Sequence, residues 1–346
     1  MKIVLIAGGP SAERDVSVNS SISILRALRE NGHEVTVIDP VFGSSQPGED
    51  EILSHKASKE SPTAEELARL RSESNRKILD CFSGKIFDNV DFAFLGVHGK
   101  FGEDGRIQAL LEMRGISYSG SGVFASALAM DKDITKVVLN SKGIGTPSWI
   151  AVTRSEYSGP ESLSARIAES FGYPCVAKPN DEGSTVGLSI VSPDVEDVQL
   201  GSAVELALSY SEKALIEQFV KGREITVPVI GDEVFPVIEI RPKGGFYDYE
   251  HKYTKGMTEY FCPAQIGEEM TAAAQKSALI AHKALGCSVY SRVDFIIDSN
   301  GSLQCLEVNT LPGMTETSLV PKSAQAKGMS FNELIETIIQ LSIKGH

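Results

Sequence analysis

Ile3–Ala7 is an unbroken apolar run that stops at Gly8-Gly9-Pro10-Ser11, and a helical apolar pattern then runs from Val16 to Leu28. Asn31-Gly32 ends that helix, and a second strand, Glu34–Ile38, follows. A strand that is apolar at every position has both faces buried, as in a parallel sheet covered by helices. The start of the chain therefore reads as a βαβ unit whose strand-to-helix turn faces a ligand crevice. Val90–Val97 supplies a third buried strand, ending at His98-Gly99, and a helix pattern resumes over Glu103–Met113.

The 346 residues leave room for two or three domains. Residues 43–75 are rich in Ser, Glu and Lys and read as an insertion, part loop and part exposed helix (Thr63–Ile78). A Gly/Ser stretch at Gly120–Val123 precedes a long helix pattern, Ser126–Leu139. Beyond it come a helix (Leu163–Ser170), a strand (Cys175–Lys178), then strands at Ala214–Glu217, Glu224–Ile230 and Glu233–Ile240. A helix (Met270–Leu285), a hairpin (Val289–Val308) and a final helix (Ser330–Leu341) complete the pattern. The fold class is α/β, α+β in part, with divisions expected at 1–122, 123–213 and 214–346.

Lys plus Arg number 33 and Asp plus Glu 46, a formal net charge of −13. That balance argues against a nucleic-acid partner, whose phosphates are neutralised by basic residues. No apolar run approaches the roughly 20 residues of a membrane span, and MKIVLIAGG reads as a buried first strand rather than a signal peptide. Five cysteines without CxxC spacing indicate a reduced, cytoplasmic protein with no zinc site.

Asn300-Gly301 is a strong two-residue hairpin signal. With those residues as the loop, Asp294 stands opposite Glu307 and Arg292 opposite Asn309. These four share one polar face, while Val293, Phe295, Leu306 and Val308 point to the other. Two carboxylates that close need a cation to stay ionised together. Two carboxylates and an amide oxygen suit a hard cation such as Mg²⁺. A solvated sheet face with Arg292 as counter-ion fits the same spacing.

Lys178 leads a small-residue loop, Pro179–Gly187, able to hold phosphates or to be a surface turn. Neither GxxxxGK[ST] nor GxGxxG is present, so Walker A and NAD readings fail. Glu217-Gln218-Phe219-Val220, with Glu224 beyond, can offer backbone groups to a purine and a carboxylate to a ribose, or be an ordinary strand end. Glu13-Arg14-Asp15 opens the first helix, where acidic residues also simply stabilise a helix start. His98-Gly99-Lys100-Phe101-Gly102-Glu103-Asp104-Gly105 forms an unusually polar, Gly-rich strand exit.

Together these segments resemble the D-alanine–D-alanine ligase family of the ATP-grasp superfamily. The resemblance rests on GGPSAERDVSVNS (Gly8–Ser20), HGKFGEDGRIQ (His98–Gln108), YSGSGVFASALAMDKDITK (Tyr118–Lys136), KPNDEGSTVG (Lys178–Gly187), YDYEHKYTKG (Tyr247–Gly256), SRVDF (Ser291–Phe295) and LEVNTLPGMTETSLVP (Leu306–Pro321). It implies a three-domain ATP-grasp fold and ATP-driven joining of two D-alanines through an acyl phosphate, for peptidoglycan precursors. It implies Asp294, Glu307 and Asn309 as ligands of two Mg²⁺ (or Mn²⁺) ions, and Arg292 with the Gly313 N–H as oxyanion donors.

By the same resemblance Lys136, Lys178 and Lys252 contact ATP phosphates. Glu217, Gln218, Phe219 and Val220 form the adenine hinge, and Glu224 binds ribose. Glu13 holds the first substrate's ammonium, in a network with Ser184 and Tyr253. Ser318 and the Leu319 N–H receive the second carboxylate, and His98 lies near substrate. Gly244–Gly256 is expected to close as a lid. Glu316 is expected to add negative charge near the second pocket and weaken binding there. A homodimer is the family's usual state. Sibling ligases that use D-lactate or D-serine, and other ATP-grasp carboxylate–amine ligases, are the nearest alternatives.

Overall fold

The computed structural model describes residues 1–54, 62–192, 197–243 and 258–345. Lys2–Ile6 (β1), Glu34–Ile38 (β2) and Phe92–Leu95 (β3) form a parallel sheet in the order β2-β1-β3. The helix Arg14–Glu30 buries Val18, Ile24, Leu25 and Leu28, with the first sheet in the same core. The last helix, Phe331–Gly345, returns to that core with Leu334, Ile335, Ile338 and Ile339. The chain's end thus closes the first domain, which a linear division at 214–346 does not convey.

The segment 43–75 is more integrated than an exposed insertion. A short helix, Glu49–Leu53, precedes Ala64–Ser83. The longer helix starts at residue 64 because Thr63 and Glu66 form a reciprocal capping box. Its later turns bury Ile78, Cys81 and Phe82 in the first core, so only part of the helix is an exposed addition.

Trp149–Thr153 (β4), Cys175–Pro179 (β5), Ser189–Val191 (β6) and Lys213–Gln218 (β7) form an antiparallel sheet ordered β4-β7-β5-β6. β7 is an inner strand, so this sheet extends past the division expected at 213/214. The long helix expected over Ser126–Leu139 is two helices, Val123–Met130 and Lys132–Ser141. Asp131 breaks it by accepting the Ile134 N–H at 3.0 Å, which starts a new helix.

The third sheet runs β11-β10-β8-β12-β13, with β9 beside β8. Its strands are Gly222–Ile230 (β8), Glu233–Val234 (β9), Ile238–Pro242 (β10), Thr258–Phe261 (β11), Tyr290–Asp298 (β12) and Leu303–Asn309 (β13). The single strand expected at Glu233–Ile240 divides around Pro236, which has no N–H for a ladder. Ala274, Ala278 and Ala281 of the helix Glu268–Ala284 pack on this sheet, and so do Ala129, Leu139 and Ile144. No described helix is long and apolar enough to cross a membrane.

Candidate active site

A cavity of about 1400 Å³ is lined by strands of the second and third sheets and, from the first domain, by the start of the first helix and the exit of β3. Among its walls are Glu13, His98, Lys178, Ser184, Glu217, Gln218, Phe219, Val220, Glu224, Arg292, Asp294, Glu307, Asn309, Gly313, Ser318 and Leu319. One residue expected there is missing: Lys136. Two others, Lys252 and Tyr253, lie outside the described residues with the whole of the expected lid, Gly244–Gly256.

Asp294 stands opposite Glu307, and Arg292 opposite Asn309. The turn is longer than expected, however. Asp298 and Ser302 bracket a three-residue loop in which Gly301 has φ +78°. That shifts the register by one, and Phe295 pairs with Cys305. A bulge beyond Asp294/Phe295 shifts it back. Leu306 sits at the bulge and lines the cavity, while Cys305 takes the place in the core. The expectation that Leu306 joins the apolar face is thereby corrected: one unpaired residue reverses the alternation.

Asp294 accepts from Arg292 Nε and Nη2 at 2.9 and 2.7 Å, from Asn309 Nδ2 at 3.0 Å, and from Thr226 Oγ1. Lys132 Nζ lies 3.7 Å from Glu307 Oε2. No group of three or more His, Cys, Asp or Glu side chains converges among the described residues. The oxygen set is two carboxylates and one amide on adjacent strands, which fits a hard divalent cation.

The lysines divide by burial. Lys136 is 1% exposed and donates to Thr146 Oγ1 (2.7 Å) and Pro147 O (3.1 Å), with Glu217 at 2.9 Å. Lys132, one helical turn earlier, lines the cavity and donates to Glu182 O at 2.7 Å. Lys132 therefore takes the place expected of Lys136. Burial opposes the charge on Glu217, but Lys136 and Lys178 outweigh it and hold its carboxyl down at about 2. Lys178 also donates directly to Glu217.

Glu13 stands at the N-terminal boundary of the first helix without capping it, and Ser184 Oγ donates to its carboxylate. The contact requires Gly183, since a Cβ there would stand 2.6 Å from Glu13 Oε2. Ser184 and Thr185 hold left-handed backbone, with φ 50° and 59°. Such strain persists where surrounding contacts enforce it. The polar strand exit read from the sequence also brings Glu103 to the cavity wall, half-buried beside Glu13. Burial, then the Glu13 charge, raise its carboxyl well above the usual range.

His98 is buried and joins two parts of the site. Its Nδ1 is 2.8 Å from Leu311 O and its Nε2 is 2.8 Å from Ser20 Oγ. A carbonyl only accepts, so Nδ1 carries the proton and Nε2 accepts from Ser20. Ser20 Oγ in turn accepts the Met314 N–H at 3.2 Å. The loop carrying Gly313 is thus held at both ends by the first domain.

Ser318 precedes the helix Leu319–Ala326, and its Oγ accepts the Thr315 N–H at 3.1 Å. Lys322 lines the same end, with Nζ 5.1 Å from the Tyr260 ring centroid; burial lowers its pKa. Glu316 instead pairs with Arg26 at 3.1 Å, both more than half exposed. It is absent from the cavity wall, so its charge does not enter the pocket as expected.

The family model described as "D-ala D-ala ligase N-terminus" matches residues 2–121, and "D-ala D-ala ligase C-terminus" matches residues 138–340. A D-alanine--D-alanine ligase of Halalkalibacterium halodurans is 41% identical over 99% of this chain and 100% of its own length. One from Syntrophotalea carbinolica is 42% identical over 98% and 95%. The crystal structure of D-alanine--D-alanine ligase from Bacillus anthracis aligns at TM-score 0.76 and 34% identity, covering 100% of this chain and 98% of that one. The same enzyme complexed with ATP aligns at 0.72 and 31%, with the same coverage. The VanG D-Ala:D-Ser ligase from Enterococcus faecalis aligns at 0.77 and 30%, covering 99% of each chain. With both family models matched in order and full-length relatives above 40% identity, the chain belongs to the D-alanine–D-alanine ligase family.

Proposed function

We propose that this ligase joins two D-alanines to D-alanyl-D-alanine with ATP, for peptidoglycan precursors. The observation that carries this reading is one cavity holding Glu13, the Arg292–Asp294–Glu307–Asn309 square, Lys132 and Lys178, and the Ser318 turn. A carboxylate is a poor electrophile, so the first D-alanine's carboxylate attacks the γ-phosphorus of ATP, ADP leaves, and an acyl phosphate forms. Glu13, fixed by Ser184, holds its ammonium. Lys132 and Lys178 meet the phosphates; Lys178 has to leave Glu217 to do so, while Lys136 stays and keeps that carboxylate paired. Gln218, Phe219 and Val220 border the adenine and Glu224 the ribose, with Leu306 and Ile296 as apolar wall.

The second D-alanine enters with its carboxylate at Ser318 and the Leu319 N–H, and Lys322 adds positive charge nearby. Its neutral amine attacks the acyl carbonyl and gives up one proton, which the departing phosphate can take. Arg292 and the Gly313 N–H stabilise the oxyanion, and phosphate leaves. Donors aimed at developing charge require a rigid loop, which the His98–Ser20 pair supplies. Asp294, Glu307 and Asn309 would hold two Mg²⁺ ions, which when bound neutralise phosphate charge. Lys252 and Tyr253 keep their proposed phosphate and network roles by family resemblance.

The VanG alignment favours one second reading, D-serine as second substrate. ADP and phosphate release should require D-alanine and not L-alanine. Product identification with D-alanine, D-serine and D-lactate together separates the readings. An ATPase indifferent to D-alanine would sink both. A homodimer and a cytoplasmic location complete the proposal. ATP use and five free cysteines support the location, and sedimentation velocity tests the dimer.

A further inference from the structure

We propose that Arg71 is a positioning residue that fastens the 181–187 loop over the cavity, giving the 43–75 segment a part in the reaction. This rests on the ligase reading for what the loop covers, not for the contact itself. Arg71 lies on the helix Ala64–Ser83. Its Nη2 donates to Glu182 Oε1 at 2.9 Å and its Nε to Pro10 O at 3.3 Å. One guanidinium therefore spans the first strand's exit and the loop, as a planar fork can and an ammonium cannot.

Glu182 is a built socket. Its side chain is 2% exposed, and Lys100 Nζ approaches the same oxygen at 3.2 Å. A carboxylate buried to that extent has to be paired. The same residue's carbonyl accepts Lys132 Nζ at 2.7 Å inside the cavity. A single residue thus separates Arg71, outside, from a phosphate lysine, inside. Leu67, one helical turn before Arg71, packs with Ala12 and Val186. Tyr210 adds a hydrogen bond to Pro62 O at 3.1 Å. The segment consequently grips the loop at two points.

The loop has reason to need gripping. Ser184 and Thr185 sit in left-handed backbone that relaxes when external contacts go. Ser184 also carries the contact to Glu13, so loosening the loop disturbs the phosphate side and the ammonium side together.

The test uses the full chain with Arg71→Leu, Glu182→Gln, their double and Arg71→Lys. Hydrogen exchange is read at the Val186 and Leu188 amides, which bond Gly183 O at 3.1 Å and Thr185 O at 3.2 Å. Each single variant should exchange faster there and raise the KM for ATP about tenfold, more than it lowers kcat. The double should be no worse than the worse single, and Arg71→Lys should fall between. Unchanged exchange and KM in folded single variants would overturn the proposal, as would effects that multiply in the double. If Arg71→Leu does not fold, Glu182→Gln and Arg71→Lys decide. Exchange needs no turnover. A parent protein inactive with D-alanine would remove the ligase reading and leave this contact still testable.

Discussion

Asp294 faces Glu307 across two adjacent antiparallel strands because a three-residue turn and a bulge at Leu306 cancel one another. The opposed carboxylates remain where a cation can bridge them, and the bulge turns Leu306 into the cavity as well. Glu307→Gln should remove most ligase activity and weaken Mg²⁺ dependence while leaving the melting temperature within a few degrees. Near-normal turnover with unchanged Mg²⁺ dependence would reject the metal assignment.

Leu306→Ala tests the bulge directly. If Leu306 forms a wall of the nucleotide pocket, truncation removes apolar contact of about 1.5–3 kcal/mol, roughly a tenfold or larger rise in the KM for ATP. Were Leu306 in the core, the main effect would be lost stability instead. Kinetics and a thermal melt on the same sample separate the two outcomes.

Lys132 and Lys136 should fail differently. Lys132→Met takes a cation from the cavity wall and should raise the KM for ATP with little change in stability. Lys136→Met leaves the buried Glu217 with Lys178 alone. Breaking a buried pair costs on the order of 3 kcal/mol, so a lowered melting temperature is the first expectation. Lys136→Met with native stability and a selective ATP defect would return Lys136 to the phosphate role.

Acid should destabilise the protein through its buried histidines. Burial lowers the pKa of His98 from 6.5 to about 4, and that of His282 likewise. As pH falls below 6.5 the unfolded chain takes up protons that the folded chain refuses. Stability is therefore full above about pH 6.5 and declines toward pH 4. The slope of melting temperature against pH across that window should be shallower in His98→Asn. Asn retains a donor near the Nδ1 position for Leu311 O but does not titrate. An identical slope would exclude His98 as a source.

The strand-and-helix alternation of the first ninety residues was legible because a fully buried strand has to be apolar at every position. The polar square on the hairpin was legible because strand side chains alternate, and the Ser184–Glu13 contact was anticipated through the resemblance. Chemistry-bearing segments also came in the family's order, which sufficed to identify the ligase.

Other features depended on distances that sequence does not carry. Lys132 and Lys136 are four apart and share a helix face, so only the packing of that helix on the third sheet decides which ammonium reaches the cavity. Leu306 reversed its face because one bulged residue undoes alternation. Glu316 faces outward, beside Arg26, which is 290 residues away in sequence. Arg71 found Glu182 111 residues along the chain. Periodicity fixes which side of an element a residue occupies; what stands on that side is decided when the elements pack.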